Sequence, residues 1–328
     1  MSEGKVVGVL LGGTSPEREV SLSSGTAVAE ALEAREWTVR RYDYGLEGEE
    51  KHGSVAARLE HALTDGDFAD VDLVFITLHG GAGEDGRVQS YLELAGVPYT
   101  GTGVLGSAVS MDKWITKSLV RRAGVTVPEA RLWTVDDPLP ENMIEADWGA
   151  VLGWPLVIKP VNQGSTVGFS IVEAAGEVPA ALEKAAVYGS RVLVEEYIAG
   201  REVTVAVLGD QALPVIEIHP SHGVYDYECK YTKGMSSYTC PADLPERVAA
   251  KLQDDALKAF EVLHHRDFSR MDYRLAEDGT PYLLEGNTLP GFTATSLVPK
   301  AAAAVGINFG ELCTRLAEAA LGRQGDPI

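Results

Sequence analysis

The sequence predicts a chain that is α/β at first and α+β after, with a parallel-sheet domain at the N-terminus and antiparallel or mixed sheet beyond it. Three observations carry this. Residues 5–13, K-V-V-G-V-L-L-G-G, form a continuous apolar run of the kind that makes a strand buried on both faces. Strand-like and helix-like segments alternate until about residue 110. From Val157 to about Ile218, short apolar runs follow one another too closely for βαβ units.

Taken in order, the run at 5–13 leads through a loop into an Ala-rich helix from about Ser21 to Arg35, and Thr38 to Tyr44 is the next strand. Residues 53–64 read as a helix and Asp72 to His79 as a third strand, so the crossovers are right-handed and the sheet parallel. Gly101-Thr-Gly103-Val-Leu-Gly106 satisfies G-x-G-x-x-G. No convincing buried strand precedes it and no acidic residue follows on a second strand about 20 residues on, so it reads as a turn with a close helix contact. A helix from Asp112 to Ala123 leads into five short strands: V-I-K-P, V-G-F-S-I-V, V-L-V-E-E-Y-I, E-V-T-V-A-V-L and L-P-V-I-E-I. The last third alternates a polar loop (222–245), a helix (about 246–264), a hairpin and two helices, with no internal repeat.

Composition narrows the function. A chain of 328 residues is long for one core and implies two or three subdomains. A formal charge of −20 repels nucleic acid and anionic membranes, although a local basic pocket could still hold a nucleotide. Cys229, Cys240 and Cys313 have no metal spacing and cannot all pair, which favours a reducing compartment. With no signal-peptide pattern and no apolar run near the ~20 residues of a membrane span, a cytoplasmic protein is expected. His52, His61, His219, His222, His264 and His265 lack metal spacing, and Trp37, Trp133, Trp148 and Trp154 are expected to pack.

Arg270 to Ser296 carries the most chemistry. Two apolar-rich strands joined at Glu277-Asp278-Gly279-Thr280 read as a hairpin. Glu285 and Asn287 are two apart and share one face, and Asp272 on the partner strand could pair with them. Two carboxylates and an amide suit a hard divalent cation such as Mg²⁺. The alternative, a solvated face, fits poorly beside Tyr282-Leu283-Leu284. Lys159-Pro-Val-Asn-Gln-Gly164-Ser165-Thr166-Val-Gly168 puts a lysine at a strand end before a flexible loop that could meet phosphates, and an ordinary hairpin loop fits it equally well. Glu195 and Glu202 could accept hydrogen bonds from an adenine amino group and ribose hydroxyls, but their spacing alone favours exposed strand ends.

Further blocks stand near the N-terminus, Gly12-Gly13-Thr-Ser15-Pro-Glu17-Arg-Glu-Val-Ser21-Leu-Ser-Ser-Gly25, and at His79-Gly80-Gly-Ala-Gly83-Glu84-Asp85-Gly86. Others are Tyr99-Thr-Gly-Thr-Gly, Ser110-Met-Asp-Lys113, and Arg270-x-Asp272 with Glu285-x-Asn287-Thr-x-Pro-Gly291. Tyr225-Asp-Tyr-Glu-Cys-Lys230-Tyr231 completes the set. Together they resemble the D-alanine–D-alanine ligases of the ATP-grasp superfamily over nearly the whole chain. The resemblance implies an N-terminal pre-ATP-grasp domain over residues 1–110 and a two-lobed ATP-grasp domain. Its central lobe spans 111–195, and its C-terminal lobe spans 196–328 with a mobile ω-loop at about 222–243.

The activity implied is ATP-dependent ligation of two D-alanines to D-alanyl-D-alanine through a D-alanyl phosphate, for peptidoglycan precursors. By resemblance, Lys113, Lys159 and Lys230 contact ATP phosphates, Glu195 and Glu202 the adenosine, and Asp272, Glu285 and Asn287 two Mg²⁺ ions, with Mn²⁺ able to substitute. Glu17 pairs with the ammonium of the first D-alanine beside His79, and Arg270 with the backbone at Gly291 stabilises the tetrahedral oxyanion. Ser296 hydrogen-bonds the carboxylate of the second D-alanine and Leu297 adds to that subsite. Tyr231 and Ser165 complete a hydrogen-bond network with Glu17, and a tyrosine at 231 goes with the dipeptide and not a depsipeptide. Similar ligases are dimers, so a homodimer is implied. Gly286 stands where a larger residue is usual and should point away from the metal; Gly81-Ala82 is a second small departure. Another carboxylate–amine ligase of the superfamily and an idle nucleotide-binding module stay open, the latter against an intact Lys159, Arg270, Asp272, Glu285 and Asn287.

Overall fold

The computed structural model describes residues 4–43, 68, 70–137, 148–221 and 234–323. The helix expected at 53–64, Cys229 and the Lys230-Tyr231 pair lie outside the described residues. The first layer is a three-stranded parallel sheet in the order β2-β1-β3, made of β1 (Val6–Leu11), β2 (Thr38–Asp43) and β3 (Leu73–Ile76). The unbroken apolar runs of β1 and β3 are buried, while β2, with Arg40 and Arg41, takes an exposed edge. Helix α1 (Arg18–Glu33) packs on this sheet and starts earlier than Ser21, with Glu19 in its first turn, where a carboxylate suits the helix dipole.

Two helices absent from the sequence reading follow: α2 (Arg87–Leu94) and α3 (Val104–Met111). The G-x-G-x-x-G run lies at their junction and is structural. Gly101 donates its N–H to Asp267 Oδ2 at 2.7 Å, and Arg266 Nε donates to the Gly101 carbonyl at 2.7 Å. A Cβ on Gly106 would sit 2.6 Å from the His264 carbonyl oxygen and 2.9 Å from that of Leu263. Helix α4 (Lys113–Arg122) begins at an N-cap, Asp112, whose side chain accepts from the Ile115 N–H at 2.9 Å.

The strand-rich part forms two antiparallel sheets. The first, in the order β4-β7-β5-β6, comprises β4 (Ala130–Thr134), β5 (Leu156–Pro160), β6 (Ser170–Val172) and β7 (Arg191–Glu196). Here the sequence reading needs correction. A helix, α5 (Val178–Ala186), separates β6 from β7, carried by apolar spacing with a proline in its first turn. Strand β6 is shorter than V-G-F-S-I-V because Thr166 and Gly168 hold positive φ. Trp37 and Trp148 are buried, but Trp154 is 39% exposed.

The second sheet, in the order β11-β10-β8-β12-β13, contains β8 (Arg201–Leu208), β9 (Gln211–Ala212) alongside β8, β10 (Ile216–Pro220), β11 (Ser236–Thr239), β12 (Phe268–Leu275) and β13 (Pro281–Asn287). Part of the expected polar loop is therefore the edge strand β11. The expected hairpin forms at the expected turn, where Asp278 Oδ1 accepts from the Thr280 N–H at 2.8 Å and Gly279 takes φ +84°. Its register shifts once: Tyr273 faces Leu283, but Asp272 faces Glu285, so Leu284 is an extra, bulged residue.

Helices α6 (Glu246–Val262), α7 (Leu297–Ala304) and α8 (Phe309–Gly322) complete the chain. Val298, Leu312 and Leu316 share one apolar core with Val9, Leu10 and Phe75, so the C-terminal helices close the N-terminal sheet. Val120 of α4 packs with Leu252 of α6 and Met271 of β12 in another, and the β4–β7 sheet has its own core with α5. Among the described residues no helix is long and apolar enough to cross a membrane.

Two outcomes follow from this packing. In Gly106→Ala, helix propensity alone would add about 1 kcal/mol of stability. The two fixed carbonyl oxygens reverse the sign, and chemical denaturation should show a loss of about 1–3 kcal/mol. His265 is buried, with Nε2 2.6 Å from Ser110 Oγ, and burial pushes its pKa down to about 3. Between its ordinary value of about 6.5 and 3 the unfolded chain binds a proton there and the folded chain does not, so this group's contribution is present above pH 6.5 and lost as pH falls. The fall in unfolding free energy between pH 6 and 4 should be shallower in His265→Gln, by at most about 1.4 kcal/mol per pH unit.

Candidate active site

Within the described residues, every candidate site residue lines one of two adjoining cavities. The first is a cleft between the two antiparallel sheets. Lys113, Lys159, Glu195, Glu202 and Asp272 line it, with Val157, Ile171, Ile218 and Leu284 as apolar walls. The second, of about 800 Å³, is bounded by Glu17, His79, Arg270, Asn287, Gly291, Ser296 and Leu297. Gly164, Ser165 and Glu285 belong to both, so the cavities meet at these residues.

Strand pairing sets the chemistry of the cleft. Val157 of β5 faces Glu195 of β7, so Lys159 and Glu195 lie on the same face, and Lys159 Nζ reaches Glu195 Oε1 at 2.5 Å. Glu195 is 2% exposed, which removes the reading of an exposed strand end. Burial pushes its carboxyl pKa up, but the charges of Lys117 and Lys159 outweigh that and hold it below the usual range. On the opposite wall Glu202 of β8 faces Arg274 of β12, with an ion pair at 3.1 Å. The cleft thus carries Lys113, Lys159 and Arg274 among its carboxylates, each paired with one of them. Lys113 opens α4 and donates to the Gln163 carbonyl at 2.7 Å, while its ammonium lies 3.2 Å from Glu285 Oε2.

Between Lys159 and β6 the loop turns sharply. Ser165 and Thr166 both adopt left-handed backbone, φ 49° and 61°, which costs about 1–3 kcal/mol per residue. That conformation is held by a long-range contact, for Ser165 Oγ donates to Glu17 Oε1 at 2.7 Å. Glu17 lies just before α1 and against Gly80, where a Cβ would sit 2.8 Å from its Oε2.

His79 carries a directional chain. Its Nδ1 lies 2.9 Å from the Leu289 carbonyl, which can only accept, so Nδ1 is the donor. Ser24 Oγ accepts from the Phe292 N–H at 3.1 Å and lies 3.0 Å from His79 Nε2, toward which its own proton points in the neutral ring. The chain ties α1, the end of β3 and the 289–292 loop together. Ser296 caps α7 and accepts at Oγ from the Thr293 N–H at 3.0 Å. The Leu297 side chain is buried in the core, so that residue offers the cavity its backbone N–H at the open start of a helix.

The hairpin carries the candidate metal ligands. Asp272 faces Glu285 and Arg270 faces Asn287. Asp272 Oδ1 accepts from Arg270 Nε at 2.8 Å and Thr204 Oγ1 at 2.7 Å; Oδ2 accepts from Arg270 and from Asn287 Nδ2, both at 2.8 Å. The carboxylate's acceptor sites are thereby filled, and the protein's own Arg270 and Lys113 neutralise Asp272 and Glu285. Among the described residues no group of three or more His, Cys, Asp or Glu could enclose a metal. Two carboxylates beside an amide nonetheless fit an oxygen-seeking divalent cation that completes its shell with phosphate and water, displacing one of those donors. Gly286 points the other way: a Cβ there would meet the side chains of Met271, His265 and Leu263 at 3.1–3.3 Å, so a larger residue would need these neighbours to give by a few tenths of an ångström.

Four contributors have no role assigned to them from the sequence: Lys117, Arg274, Thr204 and Ser24. Two of them had a signal. Lys117 follows Lys113 by one helical turn, and Arg274 continues the alternate positions of Arg270 and Asp272. Thr204 and Ser24 are ordinary residues until strand pairing and helix packing bring them in. Lys230 and Tyr231 lie outside the described residues.

Comparison with known proteins shows the family and the fold. The family models described as D-ala D-ala ligase N-terminus and C-terminus match residues 6–102 and 119–318. A D-alanine–D-alanine ligase of Syntrophotalea carbinolica is 43% identical over 312 residues, covering 95% of each chain. The solved D-alanine–D-alanine ligase of Bacillus anthracis complexed with ATP superimposes with a TM-score of 0.82 at 29% identity, covering 98% of this chain and 99% of that one. The D-Ala:D-Ser ligase VanG of Enterococcus faecalis gives 0.78 at 32% identity, covering 97% and 100%. With both halves matched and the similarity running through nearly all of each relative, the chain belongs to the D-alanine–D-alanine ligase family, and its fold is that of ATP-grasp enzymes.

Proposed function

We propose that the chain is an ATP-dependent ligase that joins two D-alanines into D-alanyl-D-alanine through a D-alanyl phosphate, supplying peptidoglycan precursor synthesis. One observation carries the reading beyond family membership: the cleft and the larger cavity meet at Gly164, Ser165 and Glu285. A terminal phosphate at that junction faces a cavity with a carboxylate, Glu17, on one side and a guanidinium, Arg270, on another. That is the charge pattern for holding an amino acid by its ammonium while its carboxylate attacks phosphorus.

In this reading adenosine lies between the two sheets, with Glu195 and Glu202 toward its polar edges and the apolar walls against the base. Lys113 and Lys159 draw their ammonium groups to the phosphates. Asp272, Glu285 and Asn287 would hold divalent ions, Mg²⁺ or Mn²⁺, which would supply positive charge to offset that of the phosphates. Glu17, fixed by Ser165, binds the ammonium of the first D-alanine beside His79. Its carboxylate displaces ADP to give the acyl phosphate. The second D-alanine docks its carboxylate on Ser296 and the first N–H groups of α7, where a helix start favours an anion. Its amine, once deprotonated, attacks the acyl carbon, Arg270 and the backbone at Gly291 stabilise the oxyanion, and phosphate leaves. By resemblance Lys230 reaches the transferred phosphate and Tyr231 extends the Ser165–Glu17 network, which suits an amine nucleophile.

The test is ADP release with the product identified by mass. D-alanine with ATP and Mg²⁺ should give D-alanyl-D-alanine, L-alanine should give none, and chelation should stop turnover until Mg²⁺ or Mn²⁺ is restored. A depsipeptide from added D-lactate in preference to the dipeptide, or no ligation at all, would overturn the reading. Ser165→Ala removes a hydrogen bond to a carboxylate, worth about 1.5–3 kcal/mol. KM for D-alanine should rise roughly tenfold or more, while KM for ATP changes less than about threefold.

A further inference from the structure

Lys117 takes no part in the chemistry above, yet it is 4% exposed and stands against the wall of the nucleotide cleft. It lies on α4 one turn after Lys113, and its ammonium is 3.0 Å from Glu195 Oε2. The two atoms are close but not aligned: neither Lys117 Nζ nor Glu195 Oε2 has a hydrogen-bond partner among the described residues. The other oxygen of Glu195 is held by Lys159 at 2.5 Å. One buried carboxylate thus carries two ammonium groups, one more than charge balance needs.

The two lysines differ in what they can reach. Lys159 lines the cleft and is accessible to an anion there; Lys117 does not line it. Phosphates entering the cleft therefore compete with Glu195 for Lys159. If Lys159 leaves, a carboxylate excluded from water must keep another cation or become an uncompensated buried charge, which is strongly unfavourable. Lys117 is placed to be that cation. Burial, and then the like charge of Lys159, push its pKa down, to about 8, against the pull of Glu195. The departure of Lys159 removes a repelling neighbour and firms the remaining pair.

We infer that Lys117 is a positioning residue that keeps Glu195 charged and in place when nucleotide phosphates draw Lys159 away, so that one cleft binds both the base edge and the triphosphate. The inference rests on the cleft being the nucleotide site. It separates phosphate-bearing ligands from those without phosphate, because adenosine leaves Lys159 on Glu195.

The experiment is calorimetric titration of the whole chain with a non-hydrolysable ATP analogue and, separately, with adenosine. In Lys117→Met the analogue should bind more than about tenfold more weakly, while adenosine changes less than about twofold. At saturating ATP, kcat should stay within about threefold of the parent, with the loss appearing in KM for ATP. Lys117→Arg should restore binding of the analogue. Lys117→Met/Glu195→Gln, in which no bare carboxylate remains, should recover part of it and provides a second folded variant should Lys117→Met fail to fold. Equal weakening of adenosine and analogue would assign Lys117 a structural role and overturn the inference, as would unchanged binding of the analogue. If the parent chain binds neither ligand, the nucleotide reading of the cleft falls first, and that outcome is distinguishable from the others.

Discussion

The register of the hairpin formed by β12 and β13 is the constraint on which the site depends. Arg270, Asp272 and Arg274 occupy one face of β12, and Met271, Tyr273 and Leu275 the other, which is buried. Pairing to β13 sets Glu285 opposite Asp272, and pairing to β8 sets Thr204 opposite Asp272 and Glu202 opposite Arg274. A slip of one residue would turn the charged set into the core. Strict alternation along β13 would also fail, because Leu283 is a core residue and Glu285 stands two positions beyond it. The bulge at Leu284 turns Glu285 to the junction of the two cavities and Asn287 to the larger one, and leaves Gly286 against Met271 and His265.

Charge in this cleft is balanced by neighbours and not by water. Glu195 is held by two lysines, Glu202 by Arg274, Glu285 by Lys113 and Asp272 by Arg270. A buried ion pair contributes little net stability, but removing either partner is costly. The arrangement therefore stores cations beside carboxylates, where an incoming anion can draw on them. The −20 charge is a property of the whole chain and does not govern this enclosed region.

Contacts between distant segments hold the two cavities in register. Ser165 reaches Glu17 across 148 positions, and His79 reaches Leu289 across 210. The C-terminal helices share the core of the N-terminal sheet together with Phe268 at the start of β12, so the walls of the larger cavity pack against one end of the hairpin. Asp267 adds a further tie, accepting from Gly101 N–H and pairing with Arg323. The G-x-G-x-x-G run serves this join, with Gly106 where the backbone of Leu263 and His264 comes close.

The sequence by itself determined the parallel N-terminal layer, the hairpin with its turn, and the family. An apolar run long enough to bury both faces, a turn of Asp and Gly, and motif blocks of unusual residue types are local signals that survive without coordinates. It left the Lys159 loop evenly balanced and favoured exposed ends for Glu195 and Glu202, because spacing along one strand carries no knowledge of the wall opposite. It also passed over α5 and did not assign the short strands to their sheets, since short apolar runs look alike whichever neighbour they pair with. Tertiary structure decided the bulge at Leu284, the burial of Glu195 between Lys117 and Lys159, and the His79 chain through Ser24. Each depends on which backbone lies alongside another, a relation set by long-range pairing and packing that local periodicity does not encode.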